Sequence, residues 1–346
     1  MNYLALVVAF VASILLTPLV KRLAFRIGAV DKPNYRKVHD HVMPRLGGLA
    51  IFLAFLIGIV VAQPMDKSMI AILIGGFVII VTGVLDDMLE ISPKAKLIGQ
   101  TVAAAIVIFF GGVQIDFINL PFFDGKLDFG DLSIPLTLIW IIGITNAINL
   151  IDGLDGLAAG VSTIALITLA AMAFIMGNVF VLVMALILAA STCGFLFYNF
   201  HPAKIFMGDT GALFLGFMIS VLALLGFKNI TFVSLVVPII MLGVPISDTF
   251  FAIVRRLLNK QPPFSPDKSH LHHRLMSIGF THRQTVLLIY GIAAMFGLAA
   301  ITFSMAKVWG AILLITVILV VIELFVEVIG LAGQNYRPLL NLVRKK

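Results

Sequence analysis

Apolar residues run almost unbroken through eleven stretches of this chain, at about 3–23, 46–62, 69–85, 97–112, 134–150, 157–176, 178–198, 211–227, 232–254, 285–304 and 308–331. Each is close to the roughly 20 residues that a helix needs to cross the hydrocarbon core of a bilayer. The runs are continuous and do not alternate with polar residues at every second position, which excludes a transmembrane β-barrel. The pattern predicts an all-α polytopic membrane protein of about eleven transmembrane helices. No repeat, linker or low-complexity tract interrupts it, so residues 1–346 read as a single integral-membrane domain. Leu4–Val20 has no basic residue before it and Lys21 and Arg22 after it, which predicts a retained first helix and not a cleaved signal peptide.

Composition agrees. Of 346 residues, 61% are apolar and only 12% charged, with a mean hydropathy of +1.12. A soluble domain runs nearer half apolar and a quarter charged. The single cysteine, Cys193, lies in an apolar run, so a disulfide framework and a CxxC metal site are both excluded.

Charge then orients the chain. Eleven crossings put the termini on opposite sides. With the N-terminus outside, the inner segments hold seven basic residues in 21–45, two in 94–96, Lys204, six in 255–283 and four in 337–346. The outer segments hold only Lys67, Lys126, Lys228 and Lys307. Lysine and arginine gather on the cytoplasmic side of membrane proteins, so the N-terminus is predicted outside and the C-terminus in the cytoplasm. This asymmetry accounts for the net charge of +7 without a nucleic-acid partner.

The polar clusters fall on that same cytoplasmic side: Arg36–Gly48, Asp86–Lys96, Asn146–Asp155, His201–Gly211 and Arg255–Arg283. The longest outer loop, Val113–Leu132, resembles a hairpin. Asp86, Asp87 and Glu90 close the third run, with Asp86 and Glu90 expected on one helical face. Carboxylates gathered at a membrane helix end repel one another unless a cation sits among them, and hard oxygen ligands suit Mg²⁺; a solvated helix end is the plainer alternative. Lys94 and Lys96 are either contacts for an anionic lipid headgroup or ordinary membrane anchors.

Asn146, Asn149, Asp152 and Asp155 leave the fifth run through two Asp-Gly pairs, where glycine lets the backbone approach a ligand. Asp209 opens the eighth run, either as a helix cap or as a ligand. Lys204 and Phe206 just before it offer a phosphate contact and a flat stacking surface. His270, His272, His273 and Arg274 suit an anionic diphosphate better than zinc, for which no cysteine or spaced fourth ligand is at hand. Arg45, followed by Gly47 and Gly48, is a weaker candidate together with His39 and His41. Asp248 is a brace for Arg255 or a catalytic group. Together these parts describe phosphoryl transfer from a soluble activated donor to a lipid phosphate.

These motifs, in this order, resemble the polyprenyl-phosphate N-acetylhexosamine-1-phosphate transferase family. That family includes the phospho-MurNAc-pentapeptide translocase and the transferases that place GlcNAc-1-phosphate on undecaprenyl phosphate. The Ser265-Pro266-Asp267 and His270-x-His272-His273 segments look more like the GlcNAc branch, which starts teichoic acid, O-antigen or related glycans; Glu90 departs from the Asp often found there. The resemblance implies a Mg²⁺-dependent enzyme of the bacterial plasma membrane, with Mn²⁺ able to substitute and a site facing the cytoplasm. It implies that UDP-GlcNAc and undecaprenyl phosphate give undecaprenyl-diphospho-GlcNAc and UMP. Asn149 and Asp209 match metal ligands. Asp86 or Asp87 matches the carboxylate that orients or deprotonates the lipid phosphate, and Lys96 its counter-ion. Asp152, grouped with the catalytic acids, and Asp155 match nucleotide-site residues, Phe206 an aromatic on uracil, and His272, His273 and Arg274 the group holding the sugar diphosphate. Asn146 and Arg45 join them as substrate-binding residues. A homodimer is compatible with this reading.

Two rival classes are weaker. An intramembrane prenyltransferase needs neither the Phe206–Asp209 segment nor a basic histidine loop. A secondary transporter places ionisable groups near the midplane, often with internal repeats.

Overall fold

The computed structural model describes residues 3–31, 42–119, 126–226, 232–258, 260, 270–330, 338, 339 and 341. His39, His41 and the Pro262–Asp267 segment lie outside the described residues. The chain is an all-α multi-pass membrane protein. Its helices are α1 (Tyr3–Ile27), α2 (Gly47–Ala62), α3 (Met69–Leu89), α4 (Pro93–Phe109), α5 (Ser133–Ile151), α6 (Leu157–Ile175) and α7 (Val179–Asn199). There follow α8 (Gly208–Gly226), α9 (Phe232–Met241), α10 (Gly243–Leu258), α11 (Leu271–Ser277), α12 (His282–Met305) and α13 (Val308–Ile329). Among the described residues, eight helices are long and apolar enough to cross a bilayer, and α2 is a shorter apolar helix.

The apolar runs become helices because nothing inside most of them breaks one, and the local signals at their ends are ordinary. Ser92 caps α4, its hydroxyl accepting from the Ala95 N–H, with Pro93 at the first helical position, where its missing N–H costs nothing. Thr281 and Gln284 form a capping box at α12.

Two runs depart from expectation. The run at 232–254 divides at Leu242 into α9 and α10; Pro245 has no N–H for the Met241 carbonyl, so the helical ladder is interrupted there. The third run ends at Leu89, and Glu90 closes it in the left-handed conformation (φ 49°). Glu90 therefore does not share a helical face with Asp86, and its side chain is 83% exposed.

Helix α8 is the centre of the bundle, buried without interruption from Thr210 to Ala223. Helices α2, α3, α5 and α6 pack around it. Where α3 crosses α8, a β-carbon at Gly83 would overlap the Thr210 backbone, so glycine sets the close approach that brings the next turn of α3 to the start of α8. Large apolar side chains such as Leu15, Phe174 and Trp309 point outward, well exposed, as a lipid-facing rim requires.

Two small antiparallel pairs complete the fold. Val30–Asp31 (β1) pairs with Met43–Pro44 (β2), and Phe117–Asn119 (β3) pairs with Lys126–Asp128 (β4), the hairpin expected in the Val113–Leu132 loop.

Candidate active site

The site begins with backbone. The Phe206 N–H donates to the Pro44 carbonyl (2.8 Å), the Phe206 carbonyl accepts from Gly47 N–H (3.0 Å), and the Met207 carbonyl accepts from Gly48 N–H (2.9 Å). These bonds join the segments leading into α2 and α8, so Arg45 and Asp209 emerge side by side. Gly208 makes the joint possible. Its φ is +71°, and a β-carbon there would run into the Asp87 carboxylate and the Arg45 carbonyl.

Asp86 and Asp87, adjacent on α3, face different partners. Asp87 accepts from the Asp209 N–H (3.0 Å), the Thr210 N–H (3.1 Å) and the Thr210 hydroxyl (2.6 Å). It also accepts from Arg45 Nε (3.1 Å), and its side chain has no exposed surface. A carboxylate at a helix N-terminus satisfies donors that have no partner within the helix and sits at the positive end of the dipole. Asp87 therefore caps α8 from another helix, and Asp209 is released from the capping role open to it on sequence grounds.

Asp209 instead turns toward cations and an amide. Its carboxylate meets Lys96 Nζ (3.3 Å) and an Arg45 terminal nitrogen (3.4 Å) and accepts a short hydrogen bond from the Asn149 amide. Lys96 also pairs with Asp86. Arg45 extends the network to Asp31 (3.8 Å). Asp86, Asp87, Arg45, Lys96, Asn149 and Asp209, from five separate stretches of chain, thus form one connected cluster. The Asp209 side chain keeps 19% of its surface open. Asp209 and Asn149 are the pair that could hold a divalent cation: an anionic oxygen already balanced by cations, beside an amide whose half-turn would present oxygen in place of nitrogen.

Asn146, one helical turn before Asn149, makes a reciprocal pair with Gln100: its amide donates to Gln100 Oε1 (2.7 Å) and its oxygen accepts from Gln100 Nε2 (3.3 Å). Gln100 lies one turn beyond Lys96 on α4, so this pair holds α4 and α5 in register beside the ionic cluster. Asp152 follows the end of α5. Enclosure, then the charges of Asp209 and Asp87, push its carboxyl up to about 8.

Asp155 turns away from this cluster, accepting from the Ala203 N–H (3.0 Å) and lying 2.9 Å from His201 Nδ1. Asn199 fastens the same turn, accepting from the Gly156 N–H (3.1 Å) and donating to the Ile205 carbonyl (3.0 Å). Phe206 occupies the strip between Arg45 and α8, in a β-bridge with Arg45.

The histidine segment packs over the first Asp-Gly turn. A β-carbon on Gly153 would collide with the His272 ring, so glycine is what allows His272 to lie there. His272 is buried. Burial, then the neighbouring His273, push its imidazole down to about 3, which makes it neutral, and among the described residues its Nε2 has no hydrogen-bond partner. His273 lies 4.2 Å from it, ring to ring. Arg274 Nε is likewise buried without a partner among the described residues. Asp248 on α10 anchors this segment: it accepts from Leu271 N–H (2.8 Å) and lies 2.9 Å from His270 Nδ1. Its contacts to α11 give it a concrete bracing task on the histidine segment.

Sequence reasoning missed Gln100 and Asn199, and it named His201 and His282 only within the polar stretches His201–Gly211 and Arg255–Arg283, with no role. Gln100 had a signal, a polar residue four positions after Lys96 on an apolar helix.

The glycosyl transferase family 4 profile matches residues 69–227, which contain Asp86 through Asp209. A Bacillus subtilis (strain 168) protein named "Probable undecaprenyl-phosphate N-acetylglucosaminyl 1-phosphate transferase" is 51% identical over 346 residues, covering 98% of this chain and 96% of that one. A Mycobacterium leprae (strain TN) decaprenyl-phosphate N-acetylglucosaminephosphotransferase is 36% identical, covering 86% of this chain and 83% of its own length. A Salmonella typhi undecaprenyl-phosphate alpha-N-acetylglucosaminyl 1-phosphate transferase is 29% identical, covering 82% and 79%. With the motifs converging on one cluster and these relatives aligned along nearly the whole chain, it belongs to the polyprenyl-phosphate N-acetylhexosamine-1-phosphate transferases of glycosyl transferase family 4.

Proposed function

We propose that this enzyme transfers GlcNAc-1-phosphate from UDP-GlcNAc to undecaprenyl phosphate, giving undecaprenyl-diphospho-GlcNAc and UMP, as the first lipid-linked step of teichoic acid or another surface glycan. The observation that carries the reading is the cluster of Asp86, Lys96, Arg45, Asn149 and Asp209, which sets acids, cations and an amide where an anionic donor and an anionic lipid headgroup can meet. The lipid phosphate oxygen attacks the β-phosphorus of the donor, and the bond from that phosphorus to the UMP oxygen breaks. A phosphate is already nucleophilic at neutral pH, so no covalent aspartyl intermediate is needed. Asp86 orients the lipid phosphate and takes its residual proton. Lys96 shifts its pairing from the carboxylates to that phosphate. His272, His273 and Arg274 face the sugar diphosphate; the unpartnered His272 Nε2 and Arg274 Nε supply groups for its oxygens. Asp209 and Asn149 would hold Mg²⁺, which when bound neutralises the diphosphate and the charge developing on UMP.

The proposed topology has eleven crossings, with α9 and α10 as two halves of one, the N-terminus outside and the site at the cytoplasmic face. The basic residues in the inner segments support it.

The test is to supply purified protein with undecaprenyl phosphate and, in turn, radiolabelled UDP-GlcNAc, UDP-GalNAc and UDP-MurNAc-pentapeptide. Labelled lipid and UMP from UDP-GlcNAc are expected; transfer from UDP-MurNAc-pentapeptide alone would overturn the reading.

A further inference from the structure

Asp155, His201 and His282 come from three distant parts of the chain: the turn after α5, the connection from α7 to α8, and the first turn of α12. Each offers one ligating atom, and these atoms all lie within 4.8 Å of one another. His201 Nδ1 is 2.9 Å from Asp155 Oδ2. The His201 and His282 rings stack with centroids 4.2 Å apart and planes inclined by 21°. His282 sits at the Asp155 turn with its ligating atom in reach of both other groups, and its Nε2 is buried with no partner among the described residues.

Without a ligand, a buried unpartnered ring nitrogen is a cost with no compensation. Two imidazoles and one carboxylate suit Zn²⁺ or a similar transition ion and suit Mg²⁺ poorly, because Mg²⁺ favours oxygen. The donor set therefore differs in kind from the oxygen donors of Asp209 and Asn149.

We propose that Asp155, His201 and His282 form a second metal site, for Zn²⁺ or a similar transition ion, with three protein ligands and a fourth position open to water or a substrate oxygen. Occupied, it cross-links the turn that carries Asp152, the segment leading into α8, and α12. The proposal is independent of the transferase reading.

Full-length protein in detergent, stripped of metal with EDTA, is titrated with Co²⁺ and followed by visible absorption. One four-coordinate Co²⁺ per chain is expected, with intense d–d bands that set it apart from any weakly absorbing Co²⁺ at the oxygen donors of Asp209 and Asn149. Zn²⁺ displaces it, Asp209→Asn leaves it intact, and His282→Gln and His201→Gln each abolish it. Absence of the bands from the wild type overturns the proposal, as do bands that survive both histidine substitutions or that Asp209→Asn removes. Thermal unfolding gives a second readout that does not depend on how well the variants fold: Zn²⁺ raises the wild-type midpoint relative to EDTA, and an unchanged midpoint overturns the site.

Discussion

Asp87 caps a helix to which it does not belong: its carboxylate on α3 takes both the backbone N–H (3.1 Å) and the hydroxyl (2.6 Å) of Thr210 on α8. Asp86, one residue earlier, pairs with Lys96. Two neighbouring acids that look alike in the sequence therefore have different work. Asp87 holds the frame, and Asp86 is the acid that the proposed function assigns to the lipid phosphate.

Their substitutions should separate stability from turnover. Asp87→Ala strands three donors at the start of α8 and leaves Arg45 its longer contacts to Asp209 and Asp31, a loss of about 3 kcal/mol or more. Asp86→Ala leaves Lys96 its contact with Asp209, so stability falls by about 1 kcal/mol while turnover drops roughly 100-fold or more. Thermal unfolding in detergent beside transfer rates checks both. Equal destabilisation by the two substitutions contradicts the division of labour.

His272 predicts an acid-sensitive fold. Its imidazole is held down to about 3 by burial, against about 6.5 in an unfolded chain. Between those values the unfolded state binds more protons than the folded one. Stability contributed by the neutral ring is therefore intact above pH ~6.5 and is lost as pH falls, with a slope of at most about 1.4 kcal/mol per pH unit. Unfolding midpoints measured at pH 7 and at pH 5 should differ more for the wild type than for His272→Gln.

Asp248 is a positioning residue for the histidine segment through His270 and Leu271. Asp248→Ala should raise KM for UDP-GlcNAc about tenfold with a smaller fall in kcat, because it loosens the groups that the proposed function places against the diphosphate without touching the lipid side. Asp248→Asn, which can still accept from the Leu271 N–H, should recover part of the loss. A fall in kcat alone at unchanged KM argues against this role.

Much of the architecture was legible because its signals are long. Continuous apolar runs announce membrane helices, and Asp86, Asn149 and Asp209 stand out as polar residues at the ends of such runs. What stayed hidden depends on helices meeting. Nothing local separates Asp86 from Asp87, since the difference lies in where α8 begins. Glu90 looked like a third ligand because the helix was expected to continue through it. Asn199 bonds Gly156, 43 positions away, and His201 meets Asp155 across 46; no spacing rule reaches that far. Asp209 was open to a capping role until Asp87 was seen to fill it.

The account rests on Asp209 and Asn149 holding a divalent cation against a diphosphate, and paired Mn²⁺ binding and transfer assays address it directly. Mn²⁺ binding is followed by electron paramagnetic resonance, and labelled lipid from UDP-GlcNAc by chromatography, for the wild type, Asp209→Asn and Asn149→Ala. The account predicts that EDTA abolishes wild-type transfer, and that both variants lose the bound Mn²⁺ signal and about 100-fold or more in turnover. Full transfer in EDTA, or variants that keep both the signal and the rate, would contradict it.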